Sequence, residues 1–268
     1  SSLPGQGFPG ITYDYFAKLV KEESKGSVEV QHYPSGTLSS DPELMDSLMK
    51  GNVDMGHFMV SYVTPIAKEL TPIEVPGFFT ADKYFDFFEK TRPVVDKIFN
   101  KYGVKYIGMG YPGELVWTSS KKVGDFVKTP GQMKGLTVRA PGKWDGETIK
   151  LWGGTPAAIP IGDLSASVER GMVDLVFTGW IIIDSFKIYE MTPYVTMSGL
   201  QGAFQGIIMS DKAWNNLDAE QQAAIERATK KWMEYSYKVN DELKQKFLGK
   251  LEASGSQAYF LTEAERAE

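Results

Sequence analysis

One arginine in this chain is placed to do chemistry. Arg139 sits at the C-terminal end of the short run L-T-V-R-A (136–140), just before Pro141-Gly142 and the helical segment W-D-G-E-T-I-K-L-W. In open α/β sheets the carboxyl ends of the strands border the ligand crevice. A guanidinium held there can grip a carboxylate through two parallel, charge-assisted hydrogen bonds, although a structural salt bridge competes for the same residue. Aromatic side chains gather along the same expected edge. Trp117 lies on the run 114–119, Trp144 opens the helix after Arg139, and Phe177 and Trp180 close a later apolar strand, with Phe58 at a similar place earlier in the chain. Each suits a core when taken alone. Together they suggest an apolar or aromatic wall beside a cation.

Other chemistries lack their residues. Cysteine is absent, which removes disulfides, thiolate metal sites and cysteine nucleophiles. The histidines, His32 and His57, have no spacing that would bring them together with carboxylates on a metal. G-x-S-x-G, Walker A and H-E-x-x-H motifs do not occur. Gly5-Gln6-Gly7-Phe8-Pro9-Gly10 fits G-x-G-x-x-G, but the sequence holds no strand before it. The next strand ends Gln31-His32-Tyr33, with no acid for a ribose, and Pro9 restricts the turn. No catalytic residue, metal or cofactor is expected. The formal net charge of -5 disfavours nucleic acid. No apolar run approaches the ~18 residues of a membrane span.

The elements that must position Arg139 announce themselves in a pattern that occurs twice. Residues 43–54 read E-L-M-D-S-L-M-K-G-N-V-D and residues 163–174 read D-L-S-A-S-V-E-R-G-M-V-D. In each copy a short helix carries a cation (Lys50, Arg170) near its negative end, a glycine (Gly51, Gly171) stops it, and Val-Asp opens an apolar strand. Helix, glycine stop and buried strand form an α/β unit. One in each half predicts two similar lobes with a ligand cleft between them. Around this frame the spacing predicts helices over 11–25, from Asp41-Pro42 onward, 82–100, 180–188 and 218–251, and one starting near Thr262. Strands are expected at 27–33, 104–109, 114–119, 136–140, 193–197 and 204–209. The chain opens at Ser1 without a signal-peptide pattern, so a processed, trimmed or partial chain is expected, and because an α/β lobe usually opens with a strand, one is expected upstream.

With these motifs in order, the sequence resembles a solute-binding protein of the tripartite ATP-independent periplasmic (TRAP) transporters. The resemblance rests on Tyr33-Pro34-Ser35-Gly36-Thr37-Leu38, Gly51-Asn52-Val53-Asp54-Met55, and Pro72-Ile73-Glu74-Val75-Pro76-Gly77-Phe78-Phe79 in the first half. In the second half it rests on Lys134-Gly135-Leu136-Thr137-Val138-Arg139-Ala140-Pro141 and Gly171-Met172-Val173-Asp174. It implies a two-lobed α/β periplasmic binding protein with hinge strands and a long helix spanning both lobes. Lobe I would comprise residues 1–112 and 204–242, and lobe II residues 113–203 and 243–268. It also implies that Arg139, in the R-x-P motif, binds the substrate carboxylate. Thr178 stands where the family commonly has a ligand-contacting Asn, and Phe177 replaces an acid. The strand at 114–119 lacks the second arginine of some members, leaving Lys143 as the nearby candidate for a second cation.

The expected protein is therefore a monomeric periplasmic binding protein and not an enzyme. It would close over an organic acid and deliver it to TRAP membrane permease subunits. A monocarboxylate with an apolar or aromatic body is the preferred ligand, and a small 2-oxo acid or C4-dicarboxylate the alternative. A two-lobed α/β enzyme and a ligand sensor are the rival classes.

Overall fold

The structure, a computed structural model, describes residues 8–33, 37–75, 79–111, 113–202 and 204–268. The first half contains α1 (Phe8–Glu23), α2 (Leu44–Met49), β1 (Met55–Met59), α3 (Val60–Val63), α4 (Thr71–Glu74), α5 (Tyr84–Asn100), β2 (Val104–Gly110) and β3 (Glu114–Ser119). Next come β4 (Thr137–Ala140), α6 (Lys143–Leu151), β5 (Thr155–Ala158), α7 (Leu164–Glu169), β6 (Leu175–Gly179), α8 (Trp180–Ser185) and β7 (Tyr194–Gln201). The chain ends with β8 (Gln205–Ser210), α9 (Asp211–Asn215), α10 (Ala219–Ser254), β9 (Gln257–Phe260) and α11 (Glu263–Ala267). The mixed α/β fold expected from the sequence is the one found.

Two compact units divide the chain. The first comprises Ser1–Ile73, Phe85–Tyr111 and Phe204–Asn240; the second comprises Glu74–Tyr84, Pro112–Ala203 and Asp241–Glu268. The 36-residue α10, ~54 Å long at 1.5 Å per residue, gives residues to both.

In the first unit β8 lies between β1 and β2, antiparallel to each. Its core is aromatic: Phe99 stacks on Tyr106 at 5.7 Å and 10°, and Phe58 meets Phe99 edge-on at 5.3 Å. In the second unit six strands run in the order β5-β4-β6-β3-β7-β9. The pairs β4–β5, β4–β6 and β7–β9 are parallel, and β3 is antiparallel to β6 and β7. Alternation along each strand sends successive side chains to opposite faces. Leu115, Trp117, Val138, Leu175 and Phe177 pack on one face with Met133 and Ile149. Val116, Val176, Val195 and Met197 pack on the other with α7, Trp180 and Phe247.

The repeated motif folds as read. Lys50 and Arg170 cap α2 and α7, and Gly51 and Gly171 take left-handed φ values of 69° and 66°. A Cβ is strained in that region, which is why glycine serves as the stop. α11 starts where expected, after Thr262, which caps it with a reciprocal Thr262–Glu265 pair.

Some expectations need correction. Residues 27–33 alternate well, yet they form no strand among the described residues, because alternation without a partner ladder makes no sheet. The helix expected over 180–188 stops at Ser185, and Lys187 turns left-handed at φ 49°. Two short strands were not foreseen. β5 contains Pro156 and is tolerated as an edge strand, whose outer side needs no ladder donor; β9 forms the other edge. Parts of the quoted motifs, Gly5-Gln6-Gly7, Pro34-Ser35-Gly36 and Pro76-Gly77-Phe78, lie outside the described residues.

Candidate functional site

The second unit holds Arg139 in an unusual state. On β4 its neighbours Val138 and Ala140 turn into the Trp117–Phe177 layer, so Arg139 points to the opposite face. There it registers with Val176 of β6 and Ala157 of β5. Its Nε donates to the Ile159 carbonyl at 3.1 Å, and Nη1 reaches the Phe177 carbonyl at 3.5 Å, a marginal bond. The side chain is only 3% exposed. Among the described residues no carboxylate comes within ion-pair distance of it. Burial lowers its pKa to about 10, opposed by the field of Asp145. At neutral pH it therefore remains a cation. A desolvated guanidinium without a counter-ion is costly for a fold to keep.

Thr178 shares that face, two residues beyond Val176 along β6. It is buried, and its hydroxyl has no hydrogen-bond partner among the described residues. Trp180 opens α8 and stacks on Phe247 at 5.5 Å and 24°; its buried Nε1 donor is also unpaired. Trp144, half-buried, carries the exposed Lys143 ammonium over its ring at 5.2 Å. The first turn of α6 also brings Asp145, which sequence reasoning passed over. Burial, reinforced by the charge of Glu74, pushes its carboxyl up to about 6, while Arg139 and the backbone N–H groups of Asp145 and Gly142 act the other way. Its signal was present as an acid six residues after the arginine, in the first helical turn.

The expected aromatic wall is divided by the sheet. Trp117 and Phe177 lie on the opposite face from Arg139, stacked at 6.0 Å and 26°, with Trp152 edge-on to both. Trp117 Nε1 donates to the Val127 carbonyl at 2.6 Å. Phe58 belongs to the first unit, in the core with Phe99, Tyr106 and Phe204. The geometry thus brings Arg139 and Thr178 onto one face with Trp180, places Lys143 and Trp144 on the helix that follows, and leaves Trp117, Phe177 and Phe58 in cores.

Alternative sites are weaker. A shallow groove of about 630 Å³ borders β9, lined by Leu251, Ser256, Ala258 and Phe260 among others. Three strands separate β9 from β4, and the groove's one charged lining residue, Glu252, would repel an anion. Among the described residues no group of His, Asp and Glu is arranged to hold a metal ion, and no helix is long and apolar enough to cross a membrane.

Residues 9–268 match DctP, the bacterial extracellular solute-binding protein family 7. The chain belongs to that family. It is similar over all of its length to a TRAP periplasmic solute-binding protein of Ochrobactrum anthropi, with a TM-score of 0.89, 25% identity and 83% of that chain covered. In that crystal structure the C-terminus is bound in the ligand-binding pocket. The ectoine/5-hydroxyectoine-binding periplasmic protein UehA of Ruegeria pomeroyi is 22% identical over 220 residues, 80% of this chain and 64% of the relative. The C4-dicarboxylate-binding protein DctB of Bacillus subtilis is 23% identical over 265 residues, 97% of this chain and 74% of its own length. This family 7 protein is thus a solute-binding component of a TRAP transporter and not an enzyme.

Proposed function

We propose that this family 7 protein captures an organic acid outside the cytoplasm, holds its carboxylate on Arg139, and delivers it to TRAP membrane permease subunits. The observation that carries the reading is the buried guanidinium with no counter-ion within ion-pair distance among the described residues. A ligand carboxylate would supply the missing charge and accept the unused N–H groups bidentately. Thr178, on the same face, offers a hydroxyl to the bound acid.

A monocarboxylate remains the preferred ligand, since the described residues near Arg139 provide no second buried cation and Lys143 is exposed. With Trp117 and Phe177 in one core layer and Trp180 buried against Phe247 in the other, the apolar body would meet the half-buried Trp144 instead. A C4-dicarboxylate or small 2-oxo acid is the second reading, favoured by the name of the Bacillus subtilis relative.

A thermal-shift screen against aromatic acids, 2-oxo acids, ectoine and C4-dicarboxylates tests the proposal, followed by calorimetry on the hits. A ligand at ~100 times its Kd adds roughly 2.7 kcal/mol, well within reach of such a screen. Arg139→Ala should weaken binding by about 2–5 kcal/mol, roughly thirtyfold or more in Kd. Unchanged affinity in a folded Arg139→Ala protein would sink the assignment.

A further inference from the structure

Asp174 closes the second copy of the repeated motif, and its carboxylate reaches sideways to the strand that carries Arg139. Its Oδ2 accepts the Thr137 N–H at 2.9 Å, while its own N–H donates to the Thr137 carbonyl at 2.8 Å. The residue just before β6 thus holds both backbone polar groups of the first residue of β4. Asp174 is buried, and its Oδ1 meets the exposed Lys122 ammonium at 2.9 Å. Burial works against the charge, but the Thr137 N–H and Lys122 outweigh it and hold the carboxyl below its ordinary pKa. At neutral pH the group is an anion, the stronger kind of acceptor.

β4 needs such a pin. It has four residues, and toward the body of the sheet its register with β6 rests on two pairs, Val138↔Leu175 and Arg139↔Val176. Its other neighbour is the edge strand β5. A slip of one residue along β6 would turn Arg139 into the layer of Trp117 and Phe177 and put Val138 on the face of Thr178. The same slip breaks both bonds to Thr137. The first motif copy makes the contrast. The Asp54 carbonyl accepts the Ser210 N–H at 2.8 Å, as the Asp174 carbonyl accepts that of Ser120 at 2.9 Å, so the main chain does the same work in both. Among the described residues β1 is an edge strand, without a parallel neighbour for the Asp54 carboxylate to hold.

We infer that Asp174 is a positioning residue, whose carboxylate fixes the register of β4 and so aims the Arg139 guanidinium at the face it shares with Thr178. This deepens the proposed function and rests on Arg139 as the carboxylate grip. Asp174 acts through the strand and not on the ligand.

The Arg139 Nε–H, bonded to the Ile159 carbonyl, reports the aim directly. Its NMR signal, assigned by its loss in Arg139→Lys, should exchange slowly with solvent in the wild-type protein, because the side chain is buried. Asp174→Ala should speed that exchange by roughly tenfold or more. Thr137→Pro removes the bonded N–H from the other side, at the first residue of a strand, where proline is tolerated, and should do the same. Asp174→Asn keeps an oxygen for the Thr137 N–H and should stay within about threefold of the wild type. Lys122→Gln, which removes only the ion pair, should stay within about twofold. Leu261→Ala guards against a merely structural effect. It empties buried volume beside β9, at the far edge of the sheet, and should lower the thermal midpoint without moving the Arg139 signal. Wild-type exchange in Asp174→Ala or in Thr137→Pro overturns the inference. So does an Asp174→Asn or Lys122→Gln protein that matches Asp174→Ala, or a Leu261→Ala protein that exchanges as fast. Acetate, the smallest stable carboxylate probe, tests the grip separately. It should shift the Arg139 signal of the wild type and not that of Asp174→Ala, and an equal shift in both also overturns the inference. A wild-type signal that acetate leaves in place counts against the grip, and the exchange rates still decide on Asp174.

Discussion

The two copies of the helix–glycine–strand motif are nearly the same local structure with different uses. In the first, α2, Gly51, β1 and α3 follow in order; in the second, α7, Gly171, β6 and α8 do the same. The sheets around them differ. β1 is an edge strand of three, antiparallel to β8, whereas β6 is buried between β4 and β3 in a sheet of six. The polar residue also changes face. In the first copy it is His57, half-buried with Nε2 at 3.2 Å from Gln205 Oε1, while the next residue, Phe58, enters the aromatic core. In the second copy Phe177 enters the core and the next residue, Thr178, joins Arg139. A one-residue offset on a strand exchanges core and site, because side chains alternate with a period of 2. The motif builds a scaffold. The neighbouring strand decides what the scaffold carries.

The sharpest way to break this comparison is by ligand affinity. Arg139→Ala should show the loss of about 2–5 kcal/mol given above, and Thr178→Val a loss of about 1 kcal/mol for one neutral hydrogen bond. Phe58→Leu, in the equivalent strand of the first unit, should leave the Kd within about twofold, since that ring is core and its cost falls on stability. Titration of the three variants with one acid checks the order. A large affinity loss in Phe58→Leu would restore that residue to the site. The shared scaffold is probed by Gly51→Ala and Gly171→Ala. Both positions are left-handed, so each should cost about 1–2 kcal/mol of stability by denaturant titration. Gly51 should cost slightly more, because its Cβ would lie 3.1 Å from Lys212 Cδ.

The sequence made the scaffold legible because its signals are local. A Gly stop, Asp and Thr caps, and period-2 or period-3.6 spacing are written within about ten residues of where they act. Arg139 was legible for the same reason, at the end of its strand before Pro141-Gly142. Strand pairing is not local. Nothing in S-V-E-V-Q-H-Y says that it lacks a ladder, and nothing in T-P-A-A says that β4 will give Thr155–Ala158 one. The site reading failed to separate the faces at the same level. Trp117 and Phe177 are near Arg139 in sheet order, but the register Arg139↔Val176 turns them away from it. Asp145 drew no reading from the sequence, and only its packed surroundings show why its carboxyl pKa is raised.

A smaller effect tests what Arg139 costs the ligand-free protein. Arg139→Met has similar volume and no charge to desolvate, so it should raise the stability of the apo protein by about 1 kcal/mol or more while removing carboxylate binding. Denaturant midpoints with and without ligand measure both. A destabilised Arg139→Met apo protein would mean that the bonds to Ile159 and Phe177 matter more than the missing counter-ion.

The two units should also differ in the sign of their response to acid, and this is the subtlest test of the contrast. His57 has its pKa lowered from 6.5 to about 4, mainly by burial, against the opposing bond to Gln205. Below pH 6.5 the unfolded chain takes up a proton that the folded site refuses, so stability is lost as pH falls from about 6.5 to 4. Asp145 behaves oppositely. Its folded value of about 6 exceeds the ordinary 3.8, so between these values the native state holds a proton that the unfolded chain has released. Its contribution is present at low pH and lost as pH rises from about 4 to 6. The windows overlap, so the wild-type protein should show a shallow profile there that conceals two steep ones. His57→Phe, which copies the second motif into the first, should leave a profile that falls with rising pH. Asp145→Asn should leave one that rises. Thermal midpoints from pH 4 to 7 read both slopes, and two variants that keep the wild-type profile would show that neither group is desolvated by its unit.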